Sequence, residues 1–199
     1  EYLGVSALKT QKVVEASLGG VLFIDEAYAL AGTADQPADR FAHEALATLV
    51  KAMEDHRDNL VVILAGYTSD MDNLLTMNAG LRSRIGTTID FADYTTDELT
   101  EILSALFTKH DYDIDSCALT RMSDRIKQVE RDDTFGNARL MRNVFETTVR
   151  AQASRIAAML RTGTVDSAGT LRAITDCDAT IALNEVLPVR THADSFGFY

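Results

Sequence analysis

The stretch GGVLFIDEAYAL, Gly19 to Leu30, decides how this chain is read. Val21 to Ile24 is a continuous apolar run without alternation, the pattern expected of a strand buried on both faces of a parallel sheet. Gly19 and Gly20 break what precedes it, and two adjacent carboxylates, Asp25 and Glu26, end it. A carboxylate at the end of a buried strand is fixed in position and suits a hard cation such as Mg²⁺, so Asp25 is the candidate metal ligand. Glu26, expected on the other face of the strand end, suits a base or a group that orients water.

Working outward, Ser6 to Leu18 reads as an amphipathic helix stopped by the two glycines. After the strand comes a polar loop, AGTADQPADR, in which Pro37 forbids a continuing helix. Phe41, Ala45, Leu46, Leu49, Val50 and Met53 then recur at helical spacing, predicting a helix over Phe41 to Asp55. Leu60 to Ala65 is a second unbroken apolar run, so strand, helix and strand make a βαβ unit. Met71 to Met77 reads as a short helix, and Gly86 to Phe91 alternates as a third strand of the same sheet. Near Ala92-Asp93-Tyr94 the character changes to helices only. Thr95 and Glu98 form a capping box ahead of Leu99, Ile102, Leu103 and Leu106. Further helices are expected over Ser116 to Arg131, Asn137 to Arg161 and Asp176 to Leu187, the last ended by Pro188. The expected organisation is therefore an α/β segment over 1–93, a helical segment over 94–188 and a tail over 189–199. The tail reads equally as a docking segment or as disorder.

With 199 residues and 46% hydrophobic positions the chain can bury one large core or two small ones. Its net charge of -11 argues against binding a phosphate backbone, so no nucleic-acid partner is expected. Between Arg121 and Arg161, however, nine Lys/Arg stand against five Asp/Glu. This local excess suits a lid that faces nucleotide phosphates or an acidic neighbouring subunit, with a nucleic-acid face as the alternative. Cys117 and Cys177 are far apart and outside metal-ligand spacing, which implies reduced thiols and a cytoplasmic setting. His43, His56, His110 and His192 stand singly, as surface or structural residues do. No apolar run approaches the ~20 residues of a membrane span. The chain opens at Glu1 without Met and in mid-pattern, which is the expectation for a fragment or a processed product.

Paired carboxylates at a strand end are one half of a phosphoryl-transfer site, in which a metal, cations and a water-orienting group serve the γ-phosphoryl oxygens. The other half is a glycine-rich loop running into Gly-Lys-Ser or Gly-Lys-Thr, and none of Lys9, Lys12, Lys51, Lys109 or Lys127 follows a glycine. Arg139 sits in the first turn of its predicted helix, where a cation opposes the helix dipole and therefore points to a purpose other than helix stability.

Five stretches, EYLGVSALKT, GGVLFIDEAYAL, LVKAMEDHRDNLVVILAGY, NAGLRSRI and FGNARLMRN, together resemble the AAA+ ATPases. More narrowly, they are similar to the group of CbbX (CfxQ) type rubisco activases, stage V sporulation protein K and the EccA ATPases. The resemblance implies the C-terminal part of a P-loop α/β domain with a parallel sheet and flanking helices, followed by an all-helical lid. It makes Asp25 and Glu26 the Walker B pair and Leu60 to Ala65 the sensor 1 strand. Where many relatives have Asn or Thr after that strand, this chain has Gly66-Tyr67-Thr68, so Tyr67 either orients a water or packs while Thr68 caps the next helix. NAGLRSRI matches the arginine-finger region, with Arg84 first and Arg82 second as the residue reaching a neighbouring subunit's nucleotide. Gly136-Asn137-Ala138-Arg139 fits sensor 2, with Arg142 a weaker candidate. Tyr2-Leu3-Gly4 looks like an aromatic pore loop that grips polypeptide. The implied cofactors are ATP and Mg²⁺, and the implied partners are a protein substrate and further copies in a hexameric ring. With no P-loop in these residues, a second reading is a non-catalytic AAA-like assembly module.

Overall fold

The computed structural model describes residues 5–31, 37–132, 135–164 and 168–188. They form two compact units, Glu1–Phe91 and Ala92–Tyr199.

In the first unit, α1 (Val5–Ala16) leads into β1 (Gly20–Ile24), with Gly19 at φ 77° making the turn between them. A short 3-10 helix (Ala27–Leu30), α2 (Pro37–Asp55), β2 (Leu60–Leu64), α3 (Thr68–Met77) and α4 (Ala79–Arg82) follow. The two strands pair in parallel, Gly20 opposite Leu60 through Ile24 opposite Leu64. Such a pair requires a crossover connection, and α2 supplies it. Pro37 does not exclude this helix but opens it, since a first-turn residue has no intrahelical partner for its N–H.

Alternate strand residues meet different surroundings. Leu22 and Leu60 are buried with Val14, Leu49 and Ala52, with Ile24, Val62 and Leu64 packed alongside. Val21, Phe23, Val61 and Ile63 are exposed by 57%, 59%, 56% and 45%. The expectation of a strand covered on both faces is therefore corrected: among the described residues the helices cover one face only. The expected third strand over Gly86 to Phe91 is also corrected. These residues take no strand conformation, and Ile89 and Phe91 are exposed. A strand exists by its hydrogen-bond ladder, and among the described residues this segment has no ladder partner, whatever its alternation.

The second unit contains α5 (Thr96–Lys109), β3 (Asp113–Ile114), α6 (Ser116–Lys127), α7 (Asn137–Thr162), α8 (Ala168–Arg172), β4 (Ala173–Ile174) and α9 (Asp176–Val186). The capping box forms as read: Thr95 accepts from the Glu98 N–H, and Glu98 accepts from the Thr95 N–H at 2.7 Å. The Thr95 N–H and hydroxyl, both donating to the Glu98 carboxylate, hold it below its ordinary range. Leu99, Leu103 and Phe107 of α5 meet Met122 and Ile126 of α6, Met141 and Val144 of α7, and Leu183 of α9 in one buried core. To the expected helices the structure adds a parallel pairing of Asp113–Ile114 with Ala173–Ile174, which ties the starts of α6 and α9 together.

Candidate functional site

Asp25 and Glu26 follow β1 directly, and hydrogen bonds on either side of them fix the chain. The Ala65 N–H donates to the Ile24 carbonyl, and the Ala27 N–H donates to the Ala65 carbonyl, each at 2.9 Å. Between these ties Glu26 takes a left-handed conformation, φ 50° and ψ 41°, which an L-residue with a side chain adopts only when its surroundings enforce it. Because β1 ends at Ile24, strand alternation does not orient Glu26; the left-handed turn does. Both carboxylates are exposed, and one Asp25 oxygen accepts the Glu26 N–H at 3.0 Å.

Tyr28, Asp70 and Met71, to which the sequence reading gave no site role, complete this corner together with Gly66 and Tyr67. The Tyr28 ring lies 6.2 Å from that of Tyr67 at 37°. A Cβ on Gly66 would sit 2.8 Å from Tyr28 Cδ1 and 2.9 Å from Met71 Sδ, so glycine here is a condition of the packing. Partial burial raises the Tyr28 hydroxyl pKa, and the negative fields of Glu26, Tyr67, Asp70 and Asp25 raise it further. Asp70 thus joins Asp25 and Glu26 in an electronegative corner. The visible signals were the Tyr two residues after Glu26 and a glycine in place of the polar residue expected after β2. Thr68 does not cap α3: it is the first residue of that helix, and Tyr67 holds the cap position without a side-chain bond.

This donor set suits Mg²⁺. Among the described residues no cluster of three or more side chains could hold a metal alone. Mg²⁺ does not require one, since it takes one or two carboxylates and completes its shell with water and phosphate oxygens.

In NAGLRSRI, Asn78 caps α4 by accepting the Leu81 N–H at 2.8 Å. Leu81 is fully buried in one cluster with Ala27, Leu46 and Leu74, so this loop and the residue after Glu26 are anchored to the same core. Arg84 is engaged within the unit: Nη2 lies 3.3 Å from Glu54 Oε2, and Nη1 donates to the Gly80 carbonyl at 2.9 Å. Arg82 is exposed and has no side-chain partner among the described residues.

In the second unit Asn137 has φ 45° and opens α7. Its side chain accepts the Tyr94 N–H at 3.0 Å and donates to Asp93 at 2.6 Å, fastening the start of α7 to the segment before α5. Arg139 and Arg142 are exposed in the first two turns, without side-chain partners among the described residues. Most of the other basic side chains between Arg121 and Arg161 are occupied inside the unit. Arg121 pairs with Asp176, Lys127 with Asp124, Arg150 with Glu185 and Arg155 with Asp178. Arg125 donates to the Leu187 carbonyl and Arg131 to Tyr94 and Thr96. The sequence shows the charge excess, while the fold shows that Arg139 and Arg142 are among the few left to meet a ligand. Tyr2, Leu3 and Gly4 lie outside the described residues.

Comparison with known proteins gives the family of both units. Residues 1–93 match the family described as ATPase family associated with various cellular activities (AAA), and residues 95–187 match the AAA lid domain. ESX-1 secretion system protein EccA1 of Mycobacterium tuberculosis is 42% identical over 194 residues, which cover 94% of this chain and 34% of that protein. Stage V sporulation protein K of Bacillus subtilis is 42% identical over 159 residues, covering 78% of this chain and 48% of that one. The chain thus spans between a third and a half of these relatives. The crystal structure of the FIGL-1 AAA domain matches 95% of this chain and 58% of its own, with TM-score 0.62 and 20% identity, a likeness of fold.

Proposed function

The chain belongs to the AAA family of ATPases, and from that premise we propose that it is part of an ATP-hydrolysing ring, a hexamer, that remodels or threads a protein substrate. One observation carries this reading: two exposed carboxylates stand side by side at the end of a parallel strand, in a turn that backbone bonds and an enforced left-handed residue hold in place. Asp25 would hold Mg²⁺, which supplies charge neutralisation at the phosphates when bound. Glu26 is assigned to accept a proton from, or orient, the attacking water. Arg84, with Arg82 as the second choice, is assigned to the phosphate of a neighbouring copy, and Arg139, with Arg142, to the nucleotide from the lid. Tyr67, beside Tyr28, is assigned to the position after β2 from which water or phosphate is sensed. Tyr2, Leu3 and Gly4 are assigned to the gripping of polypeptide. One relative is named for a secretion system and another for sporulation, and similarity to both supports a reading in which the task is of either kind.

Residues 1–199 contain no Gly-Lys-Ser or Gly-Lys-Thr. Because the backbone N–H groups of such a loop contribute much of the phosphate affinity, we assign no ATP hydrolysis to these residues alone. The test is ATP turnover by the full-length protein and its Glu26→Gln variant. Loss of about a hundredfold or more is expected, with ATP still bound. Equal turnover by the two would remove Glu26 from the chemistry.

A further inference from the structure

Arginine's value to a phosphate site is a planar fork, and it is realised only if the plane is held. Arg84 lies just beyond α4, and its Nε is buried with no acceptor among the described residues. A ligand can therefore approach the guanidinium only along the Nη edge. That edge is tethered at two points on different elements: Nη1 to the Gly80 carbonyl at 2.9 Å, and Nη2 to Glu54 Oε2 at 3.3 Å. Each Nη carries two hydrogens, so both tethers leave a further N–H free, the Ser83 hydroxyl reaching Nη1 only at 3.5 Å. Glu54 sits at the end of α2, a helix anchored by buried Leu46, Leu49 and Ala52.

We infer that Glu54 is the positioning residue for Arg84, fixing its Nη edge so that the remaining N–H groups present one orientation to a phosphate anion on the neighbouring subunit. The inference rests on the reading of Arg84 as the residue that reaches that phosphate. Arg82, untethered among the described residues, lacks this arrangement. Removing the Glu54 carboxylate leaves the Arg84 side chain 29% exposed and still donating to the Gly80 carbonyl, so its charge keeps both solvent and one acceptor.

The test is steady-state ATP hydrolysis by the assembled full-length protein with Glu54→Ala, Glu54→Gln, Arg84→Ala and the Glu54→Ala/Arg84→Ala double variant. Glu54→Ala should lower kcat about tenfold, the effect of a misplaced catalytic charge, with KM for ATP within about twofold. Glu54→Gln, which keeps an acceptor at the same reach, should recover part of that loss. The double variant should be no slower than Arg84→Ala, because Glu54 acts only through Arg84. Unchanged melting temperatures would separate this from a structural role. Wild-type turnover by Glu54→Ala, or a double variant slower than Arg84→Ala by the full Glu54→Ala factor, overturns the inference while leaving Arg84 in the reaction. Wild-type turnover by Arg84→Ala overturns the assignment of Arg84 and this inference with it.

Discussion

Gly66 shows how a single position can carry the logic of the site. A polar residue expected after β2 is replaced by the one residue that lets Tyr28 and Met71 close over the backbone. Alanine there would meet two heavy atoms inside 3.0 Å, on Tyr28 and on Met71. Gly66→Ala should destabilise the chain by about 2 kcal/mol, the usual cost of overpacking, seen as a lower urea midpoint at unchanged slope. An unshifted midpoint would mean that Tyr28 is free to move aside. Asp25 and Glu26 were legible in the sequence because an apolar run ending in two acids is rare. The left-handed turn at Glu26 was not, because it depends on bonds to Ala65, thirty-nine positions farther along the chain. Glu54 was likewise invisible, since its partner Arg84 comes from a different element.

At the scale of elements, two capping boxes start two lid helices. Thr95 with Glu98 was readable from its spacing, whereas Thr175 with Asp178 takes its meaning from the fold, because Asp178 also receives Arg155 of α7 at 2.8 Å. Burial pushes the Asp178 carboxyl up, but the Arg155 guanidinium and the Thr175 donors outweigh it and hold the group below its ordinary value. A carboxyl depressed in the fold stabilises above its unfolded pKa, and that stability is lost as pH falls through the folded value. The lid should thus lose thermal stability from about pH 4 downward, and Asp178→Asn should flatten that dependence. At neutral pH the same variant should cost about 3 kcal/mol, the penalty of breaking a buried pair. A pH–melting profile identical to wild type would remove Asp178 from the acid response.

At the scale of the whole molecule the consequential surface is the sheet face that no described element covers. Val21 lies opposite Val61 and Phe23 opposite Ile63, so four apolar side chains form one exposed patch on a two-stranded sheet. Patches of this kind associate, and a net charge of -11 opposes but does not hide them. Residues 1–199 should therefore self-associate with rising concentration in sedimentation velocity. Replacing Val21, Phe23 and Ile63 by Thr, which keeps strand propensity, should shift the distribution toward monomer. Concentration-independent sedimentation of the unmodified chain would show that the patch is covered.

Local rules were enough, from the sequence alone, to place β1 and β2, the helices α1, α2, α3, α5, α6, α7 and α9, the Thr95 cap and the acidic pair, because each depends on residues within a few positions of one another; the short α4 and α8 were not foreseen. Tertiary structure alone decided that Gly86 to Phe91 is not a strand among the described residues, since pairing requires a partner that alternation cannot supply. It also decided which arginines are occupied and which are free, and that Glu54 faces Arg84. Side-chain charges are written in the sequence, but their partners are chosen by distance in space.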